Sequence, residues 1–276
     1  EDGKYRHCIE NRCVKGSRAK SALAALEASF NRSHHSNERI DRVIAPSRFM
    51  RSKLIEGGWP EGKVLALQNF ADDAILARAS GVAGDVTDRE SPYLLFFGRL
   101  SAEKGVDVLL RAFDAAAPLL PRDMRLIVVG DGPDAAEFRE LAASLDSAPR
   151  IEFAGYQTGD ALQTYVERAS LAIASSRCRE NMPYSIVEAF AAGTPVVGTR
   201  IGGIPELVAD GVTGFACEPG DVATMADAMV RGAEAFLDAP VYVRMQESCR
   251  AYVRENCSRD KFMDQLVELY EEAVNG

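Results

Sequence analysis

The chain has 276 residues, 47% of them hydrophobic, and carries 41 Asp and Glu against 32 Lys and Arg. The net charge of −9 excludes a general affinity for nucleic acid, or for an anionic membrane surface, through overall charge. This length and apolar content suffice for one large or two ordinary globular domains, and no run of about 18 apolar residues predicts a transmembrane helix. No charged-then-apolar leader opens the sequence, so we expect a cytoplasmic protein.

The six cysteines are scattered through a chain that is long enough to build its own core. We therefore expect free thiols in a reducing compartment rather than a disulfide framework. Cys8 and Cys13, beside His7, could form a metal clip, but no second pair at zinc spacing follows them. The other histidines, His34 and His35, lie in the same polar early region, where exposure is the simpler expectation.

The first periodic segment spans residues 17–32. Its larger apolar side chains, Leu23, Leu26 and Phe30, recur at helical spacing. This pattern predicts a helix with one buried face.

The next segments alternate strand and helix patterns. Residues 42–47 predict a short strand that runs into a helix cap at Ser47, and residues 63–67 predict a second strand. Residues 68–72 then leave the sheet as a connector. Residues 79–91 are polar, aperiodic and rich in Gly, Ala, Asp, Thr and Ser, which is typical of a linker.

Beyond the linker, apolar runs alternate regularly with helical patterns. Strands are predicted near 93–97, 126–129, 151–153, 171–174, 196–197 and 214–216, and helices near 106–119, 134–145, 159–169, 183–192, 221–236, 241–255 and 259–274. Apolar strands that alternate with helices indicate an α/β fold in which a parallel sheet is covered by helices on both faces. Ligands of such sheets bind at the carboxyl ends of the strands.

The stretch 180–197 predicts a loop, a helix and a buried strand in close succession. Pro183 fits the first helical position, where its missing N–H costs nothing, and Gly193 ends the helix. Glu180 lies in the loop and Glu188 about a turn and a half inside the helix. The two carboxylates could face opposite ends of one ligand, although a lone glutamate on a helix is more often a solvated surface charge.

A second stretch whose side chains could bind a ligand, residues 98–105, follows the strand predicted at 93–97. Its sequence is Gly-Arg-Leu-Ser-Ala-Glu-Lys-Gly. Arg99 supplies a planar fork and Lys104 a mobile point charge, and together they could neutralise a diphosphate. On composition alone, a surface loop with two ordinary charges is the alternative.

Both stretches resemble the signatures of the retaining glycosyltransferases of the GT-B fold, family 4, also described as glycosyl transferases group 1. The family pattern is Gly-Arg-Leu, three residues and Lys-Gly, followed later by Glu, seven residues, Glu, then Ala and a Gly-Thr-Pro-Val-Val run. The resemblance implies that Arg99 and Lys104 hold the donor diphosphate. It also implies that Glu188 holds the ribose of the nucleotide and that Glu180 approaches the donor sugar. Glu180, Arg99 and Lys104 are therefore the catalytic candidates.

One departure from the family pattern affects the donor contacts. The family often carries Gly-Phe-Gly after its first Glu, whereas this chain has Asn-Met-Pro at 181–183. Pro183 cannot donate a hydrogen bond, so we expect the contacts to come from Met182, Tyr184 and Ser185.

Four further residues are donor-binding candidates, three glycines because they permit close approach of the backbone and Tyr156 because of the resemblance. Gly98 precedes the diphosphate arginine, and Tyr156 matches a loop beside the nucleobase. Gly202 and Gly203 follow the strand after the central motif, where glycine permits close approach of the backbone to a ligand. A plain tight turn is the alternative for these two glycines.

The resemblance implies a domain order for the chain. Residues 1–75 match the end of an N-terminal acceptor domain, of which most is missing, and residues 76–91 are the linker. Residues 92–256 match the nucleotide-sugar donor domain, a Rossmann-like sheet, and residues 257–276 a helix that crosses back.

The implied activity is transfer of a sugar, of hexosyl type, from a nucleotide-sugar to a glycan or lipid-linked acceptor with retention of configuration. A UDP- or GDP-sugar is the implied donor, with no other cofactor. We expect a metal-independent site, because no Asp-x-Asp pair stands at a strand end and Asp131 and Asp134 are three apart in a turn. The resemblance leaves open a peripheral contact with the inner face of the membrane through the missing domain, and the fragment alone could be inactive.

Three other functions are considered. A non-catalytic nucleotide-sugar-binding module would keep the diphosphate loop, and a sugar-nucleotide epimerase of the same fold would consume the donor without an acceptor. A nicotinamide-dependent oxidoreductase is disfavoured, because Gly-Asp-Gly-Pro at 130–133 lacks the third glycine of a dinucleotide fingerprint. The residues do not identify the sugar, the base or the acceptor.

Overall fold

The computed structural model describes residues 5–34, 39–80 and 91–275. The chain divides into two compact units, one of residues 1–67 with 266–276 and one of residues 68–265. Most of the predicted linker, residues 81–90, lies outside the described residues, as does His35. The assignment of functions to the domains stays a prediction.

The smaller unit combines short helices with a two-stranded parallel sheet. Ser17 and Ser47 each accept a hydrogen bond from a backbone N–H of the first turn that follows, as expected of helix N-caps. The elements are α1 (Arg6–Glu10), α2 (Arg18–Ser33), β1 (Val43–Ala45), α3 (Arg48–Glu56) and β2 (Val64–Ala66), together with the end of the last helix of the chain.

The prediction of a buried apolar face on α2 is wrong. Leu23, Leu26 and Phe30 are 69%, 68% and 59% exposed, whereas the buried residues of the helix are Ser21 and Ala25. The Ser21 hydroxyl accepts a hydrogen bond from the Val14 N–H, so the small-residue side of α2 faces the preceding turn. Helical spacing shows which side chains share a face, but not which face another element covers.

The larger unit is built on a six-stranded, fully parallel sheet in the order β5-β4-β3-β6-β7-β8. Its strands are β3 (Tyr93–Phe97), β4 (Arg125–Val129), β5 (Ile151–Gly155), β6 (Leu171–Ala174), β7 (Val196–Thr199) and β8 (Gly214–Cys217). Its helices are α4 (Asp73–Ala79), α5 (Val106–Ala116), α6 (Ala135–Ala143), α7 (Gly159–Arg168), α8 (Tyr184–Ala192), α9 (Val222–Leu237), α10 (Ala239–Asn256) and the first part of α11 (Arg259–Asn275).

Helices cover both faces of this sheet, which confirms the predicted fold class. Successive residues of β3 enter different cores: Leu94 packs with α5 and α9, and Leu95 packs with α8. All five residues of β3 are buried, as expected for a central strand between two layers of helices. None of the helices in the described ranges has the length and apolar character needed to cross a bilayer.

The start of α8 differs by one residue from the prediction. Pro183 has an extended backbone, with ψ 117°, and is the N-cap residue, so the helix begins at Tyr184. The Pro183 carbonyl accepts the hydrogen bond of the Ile186 N–H, and this first turn needs no N–H from the proline. Gly193 ends the helix in a left-handed conformation, as predicted.

The strand order determines where a ligand site can form. From β3 the chain proceeds to β4 and β5 on one side, and it then returns to the other side of β3 with β6. The loops after β3 and β6 therefore diverge and leave a crevice at the carboxyl edge of the sheet. These loops carry the two sequence stretches with predicted chemistry.

Candidate functional site

The loops after β3 and β6 bring two predicted site residues together. The Lys104 Nζ donates a hydrogen bond to the Glu180 Oε1 at 2.5 Å, across 76 positions of sequence. The side chains are only 30% and 17% exposed. The predicted diphosphate lysine and the predicted sugar carboxylate thus form one partly buried ion pair at the switch point of the sheet.

The two carboxylate oxygens of Glu180 have different surroundings. Oε1 accepts hydrogen bonds from Lys104, from the Ser176 hydroxyl at 2.7 Å and from the Cys178 thiol at 3.4 Å. Oε2 has no donor among the residues that the structure describes. One oxygen is held by the protein and the other remains available to a ligand.

The surroundings of Glu180 also favour its charged form. Partial burial by itself raises the pKa of Glu180, but the hydrogen bonds from Lys104 and Ser176 outweigh burial and hold the pKa below its ordinary value. Glu180 is therefore ionised at neutral pH. Sequence reasoning missed Ser176 and Cys178, whose position between the end of β6 and Glu180 was the available clue.

Backbone contacts hold the loop that carries Lys104. The Ser175 hydroxyl donates to the Lys104 carbonyl at 2.7 Å, and the Asp134 carboxylate accepts from the Ala102 N–H at 2.6 Å. The Asp131 carbonyl accepts from the Leu100 N–H at 2.9 Å. The Gly-Asp-Gly-Pro-Asp turn after β4 therefore supports this loop.

Arg99 lies on the same loop and faces solvent. Within the described residues its side chain makes no hydrogen bond and no ion pair. Gly98, just before it, is also exposed. Arg99 thus adds a cationic group that forms no ion pair in this part of the chain. The Ser101 hydroxyl, and with a smaller effect the Arg99 and Lys104 charges, hold the pKa of the nearby Glu103 below its ordinary value.

Gly202 and Gly203 contact the main chain of Glu180. The Gly203 N–H donates to the Glu180 carbonyl at 2.7 Å. A Cβ on Gly202, whose φ is +63°, would lie 2.2 Å from that same oxygen. Close approach of backbone to backbone therefore explains the glycine at position 202, and both residues support the Glu180 loop.

The predicted contacts at the start of α8 fall into two groups. The Tyr184 side chain is 46% exposed, and its hydroxyl donates to the Phe70 carbonyl at 3.2 Å. Ser185 is partly buried. The Met182 side chain is buried and packs in the core beside α8, so a ligand could meet only its main chain.

Glu188 is a partly buried carboxylate on α8. Among the described residues its carboxylate makes no hydrogen bond and no ion pair. Burial raises the pKa of Glu188 above its ordinary value; the Arg78 charge opposes this effect and the Asp72 charge adds to it. An unpaired carboxylate with such a pKa is typical of functional sites, where a ligand supplies the missing hydrogen bonds.

We expect Glu188→Gln to stabilise the ligand-free protein at neutral pH by about 0.5–2 kcal/mol. Because folding raises the pKa of Glu188, the charged carboxylate opposes folding. That penalty is absent below the ordinary pKa, near 4.5, and grows as pH rises through the higher pKa of the folded state. Thermal unfolding at pH 7 and at pH 4 measures the effect, which should be larger at pH 7.

Glu140→Gln is the matched control for this prediction, because Glu140 is an exposed glutamate on α6. It should change the unfolding temperature little at either pH. A Glu188→Gln protein that is less stable than the wild type at pH 7 would contradict the prediction.

Tyr156 is not brought to the Lys104–Glu180 pair. It follows β5, the edge strand of the sheet, which is separated from β6 by β4 and β3. Its side chain is 74% exposed. A contact with a ligand bound beside Lys104 would require a ligand that extends along the sheet edge past two strands.

Side chains of the types that bind metal ions do not cluster in the described ranges. Across the described ranges, no group of three or more His, Cys, Asp and Glu side chains is arranged to hold a metal ion. All six cysteines are free thiols, Cys8 and Cys13 among them.

Two curated proteins illustrate which sequences this chain is similar to. An N-acetyl-alpha-D-glucosaminyl L-malate synthase of Bacillus anthracis is 28% identical over 84% of this chain and 60% of its own length. A D-inositol 3-phosphate glycosyltransferase of Corynebacterium efficiens is 36% identical over 65% of this chain and 42% of its own length. The chain thus spans about 60% or less of the length of these curated relatives.

The fold is also shared with solved structures. HepE of Anabaena, solved in complex with UDP, has a TM-score of 0.73 at 22% identity, over 84% of this chain and 64% of that chain. The same protein in complex with UDP-glucose has a TM-score of 0.71.

A family profile covers the part of the chain that contains the site. The profile described as "Glycosyl transferases group 1" matches residues 91–234, more than half of the chain. The match includes both loops that form the Lys104–Glu180 pair as well as Glu188. With this match and the parallel sheet that carries these residues, the chain belongs to the glycosyl transferases group 1 family.

Proposed function

We propose that this chain forms the donor-binding part of a glycosyltransferase that transfers a sugar from a nucleotide-sugar. The observation that carries the proposal is the meeting of Lys104 and Glu180 at the switch point of the sheet. A cation for phosphate and a carboxylate for hydroxyls are the two groups that a nucleotide-sugar requires at its reacting end.

The diphosphate would bind between the loop after β3 and the start of α8. Arg99 has no partner among the described residues and can offer two parallel N–H groups to phosphate oxygens. The Lys104 ammonium uses one hydrogen for Glu180 and has two more. Backbone N–H groups at the start of α8, near Tyr184 and Ser185, add partial positive charge.

Glu188 would bind the ribose. Its carboxylate is partly buried and makes no hydrogen bond or ion pair within the described residues, and ribose hydroxyls are donors that would satisfy it. Glu180 would bind hydroxyls of the donor sugar through Oε2. Gly98, Met182, Gly202 and Gly203 complete the proposed donor site, and Tyr156 would touch only the nucleobase side.

Transfer would proceed with retention of configuration and without a metal ion. Departure of the nucleoside diphosphate places negative charge on the leaving phosphate, and Arg99 and Lys104 would stabilise that charge. Structures of HepE hold UDP and UDP-glucose, which supports a uridine donor here, with a GDP-sugar as the second choice.

The acceptor would be a glycan or a lipid-linked glycan. Residues 1–75 would belong to the acceptor domain and residues 257–276 would cross back to it. Since the chain spans 60% of the Bacillus anthracis relative, a longer protein would be required for full turnover.

Calorimetric titration of this chain with UDP, GDP and ADP, each with and without EDTA, tests the proposal. We expect one nucleotide to bind, EDTA to leave its affinity unchanged, and the matching nucleoside monophosphate to bind more weakly because it presents fewer phosphate charges. Glu188→Ala should weaken the same nucleotide about tenfold through loss of the ribose hydrogen bonds. Failure of all three nucleotides to bind would contradict the proposal.

Turnover by the full-length protein separates transfer from its alternatives. A transferase consumes the nucleotide-sugar when an acceptor is present, and NMR of the product reports whether the anomeric configuration is retained. Consumption of the donor without an acceptor would indicate an epimerase, and binding without any turnover would indicate a non-catalytic module.

A further inference from the structure

We propose that Glu180 makes a sugar-free nucleoside diphosphate a weaker ligand than its nucleotide-sugar, so that the site favours the donor over its own product. The inference rests on the proposed function and deepens it. Glu180 becomes the residue that sets the preference between donor and product, in addition to a contact for the sugar.

The charges on the loop after β3, residues 98–105, determine what a diphosphate meets there. Two cations, Arg99 and Lys104, lie on this loop, and the Lys104 ammonium already contacts the Glu180 carboxylate at 2.5 Å. Both side chains of the pair are more than two thirds buried, so water screens their interaction less than it would at the surface. A diphosphate therefore meets Arg99, which forms no ion pair within the described residues, and Lys104, which the Glu180 carboxylate already engages.

Glu180 cannot easily turn away from Lys104. Ser176 holds the same oxygen at 2.7 Å, and Gly203 holds the Glu180 carbonyl at 2.7 Å. A Cβ at Gly202 would overlap that carbonyl, which shows how closely the main chain is packed there. The negative charge consequently stays beside the phosphate site when a diphosphate binds.

The two carboxylate oxygens of Glu180 differ in what they can offer to a bound sugar. Oε2 of Glu180 has no donor among the described residues, whereas Oε1 has three. A hydroxyl of a bound sugar can donate to Oε2, and a hydrogen bond to a charged acceptor is among the stronger ones. The nucleotide-sugar thus gains a contact that offsets the repulsion, and the free diphosphate does not.

Two other carboxylates lie near this loop, but neither forms an ion pair with Lys104. Glu103 is exposed, its Oε1 accepts from the Ser101 hydroxyl at 2.7 Å, and the charges of Arg99 and Lys104 act on it without a direct pair. Asp107 pairs with Arg177 at 2.7 Å. Within the described residues, Glu180 is the carboxylate whose ion pair engages Lys104.

A comparison of Glu180→Gln with the wild type tests the inference. Two ligands are compared. One is the nucleoside diphosphate, among UDP, GDP and ADP, that binds the wild type most tightly, and the other is the glucose conjugate of that same nucleotide. Removing the charge should tighten binding of the nucleoside diphosphate about tenfold, as expected for a unit charge several ångströms away in a partly buried site. Binding of the conjugate should stay the same or weaken, so the preference for donor over product should fall by at least that factor.

Two further variants separate charge from shape. Glu180→Asp keeps the charge, and its affinity for the nucleoside diphosphate should stay within about threefold of the wild type. Glu152→Gln removes one charge from an exposed glutamate on the edge strand β5 and should change neither affinity measurably. Raising the salt concentration should reduce the increase in affinity for the nucleoside diphosphate that Glu180→Gln produces, because salt screens the interaction between charges.

The results distinguish the inference from the proposed function. If the wild type binds a nucleoside diphosphate and Glu180→Gln binds it equally or more weakly, the inference is wrong and the proposed function stands. If neither protein binds any of the three nucleotides, both are wrong.

Discussion

Arg99→Ala is expected to weaken binding of the nucleoside diphosphate about 100-fold, the largest loss among the single side chains of the site. A charge-assisted hydrogen bond to phosphate contributes about 1.5–3 kcal/mol, and a loss of about 2.7 kcal/mol, the upper part of the range for one such bond, corresponds to 100-fold. Lys104 is already engaged with Glu180, whereas Arg99 forms no ion pair within the described residues, so Arg99 is the cation of this loop that is most available to phosphate. Calorimetric titration measures the change.

The fold should not change in this variant, because the Arg99 side chain is exposed and makes no hydrogen bond or ion pair within the described ranges. Arg99→Lys should recover part of the affinity, since lysine supplies the charge without the planar fork. Arg111→Ala, which removes an exposed arginine from α5, serves as the control and should bind like the wild type. An Arg99→Ala protein with wild-type affinity would disprove the diphosphate role.

Gly130→Ala is expected to destabilise the larger unit by about 3 kcal/mol or more. Gly130 has φ +139°, and a Cβ there would lie 1.9 Å from the Gly98 carbonyl oxygen. Neither backbone can retreat freely, because the Gly98 N–H donates to the Val129 carbonyl and the Gly130 N–H donates to the Gly155 carbonyl. The midpoint of urea unfolding, followed by circular dichroism, measures the loss.

Gly155→Ala separates backbone strain from steric overlap. Gly155 has φ +72°, but a Cβ there meets no atom within 4 Å. Alanine at this position should therefore cost only the strain of a left-handed residue, about 1–2 kcal/mol. Equal losses of unfolding free energy in Gly130→Ala and Gly155→Ala would show that the Gly98 carbonyl does not limit the space beside Gly130.

The folded Gly130→Ala protein should also bind nucleotide poorly. Gly98 directly precedes Arg99, and a shift of its carbonyl would move the arginine. The turn after β4 contacts the loop that carries Arg99 and Lys104 through the Asp131 carbonyl and the Asp134 carboxylate, so a change in the turn acts on that loop.

Residues of the central sheet were well predicted from the sequence. The expected ranges for β3 and β6 match the structure, and those for β4 and β5 differ by one or two residues at one end. Strands buried on both faces are continuous apolar runs, and such runs are visible without knowledge of their neighbours. The one-residue difference at Pro183 reflects the extended backbone of an N-cap.

Burial of the early helix was not predictable in the same way. The spacing of Leu23, Leu26 and Phe30 indicates a helix, and α2 does span these residues. Burial depends on what else packs against the helix, and α2 uses Ser21 and Ala25 for its contacts. Periodicity contains no information about the partner surface.

By itself, the sequence determined the element types of the larger unit, the α/β class and the residues with suitable chemistry, because each depends on local periodicity and residue type. Only the tertiary structure decided that β6 returns beside β3 and that Lys104 and Glu180 share a hydrogen bond across 76 positions. The same packing left one Glu180 oxygen and the Glu188 carboxylate without a donor among the described residues. Such pairings arise from strand order and backbone contact over long range, and no local pattern in the chain encodes them.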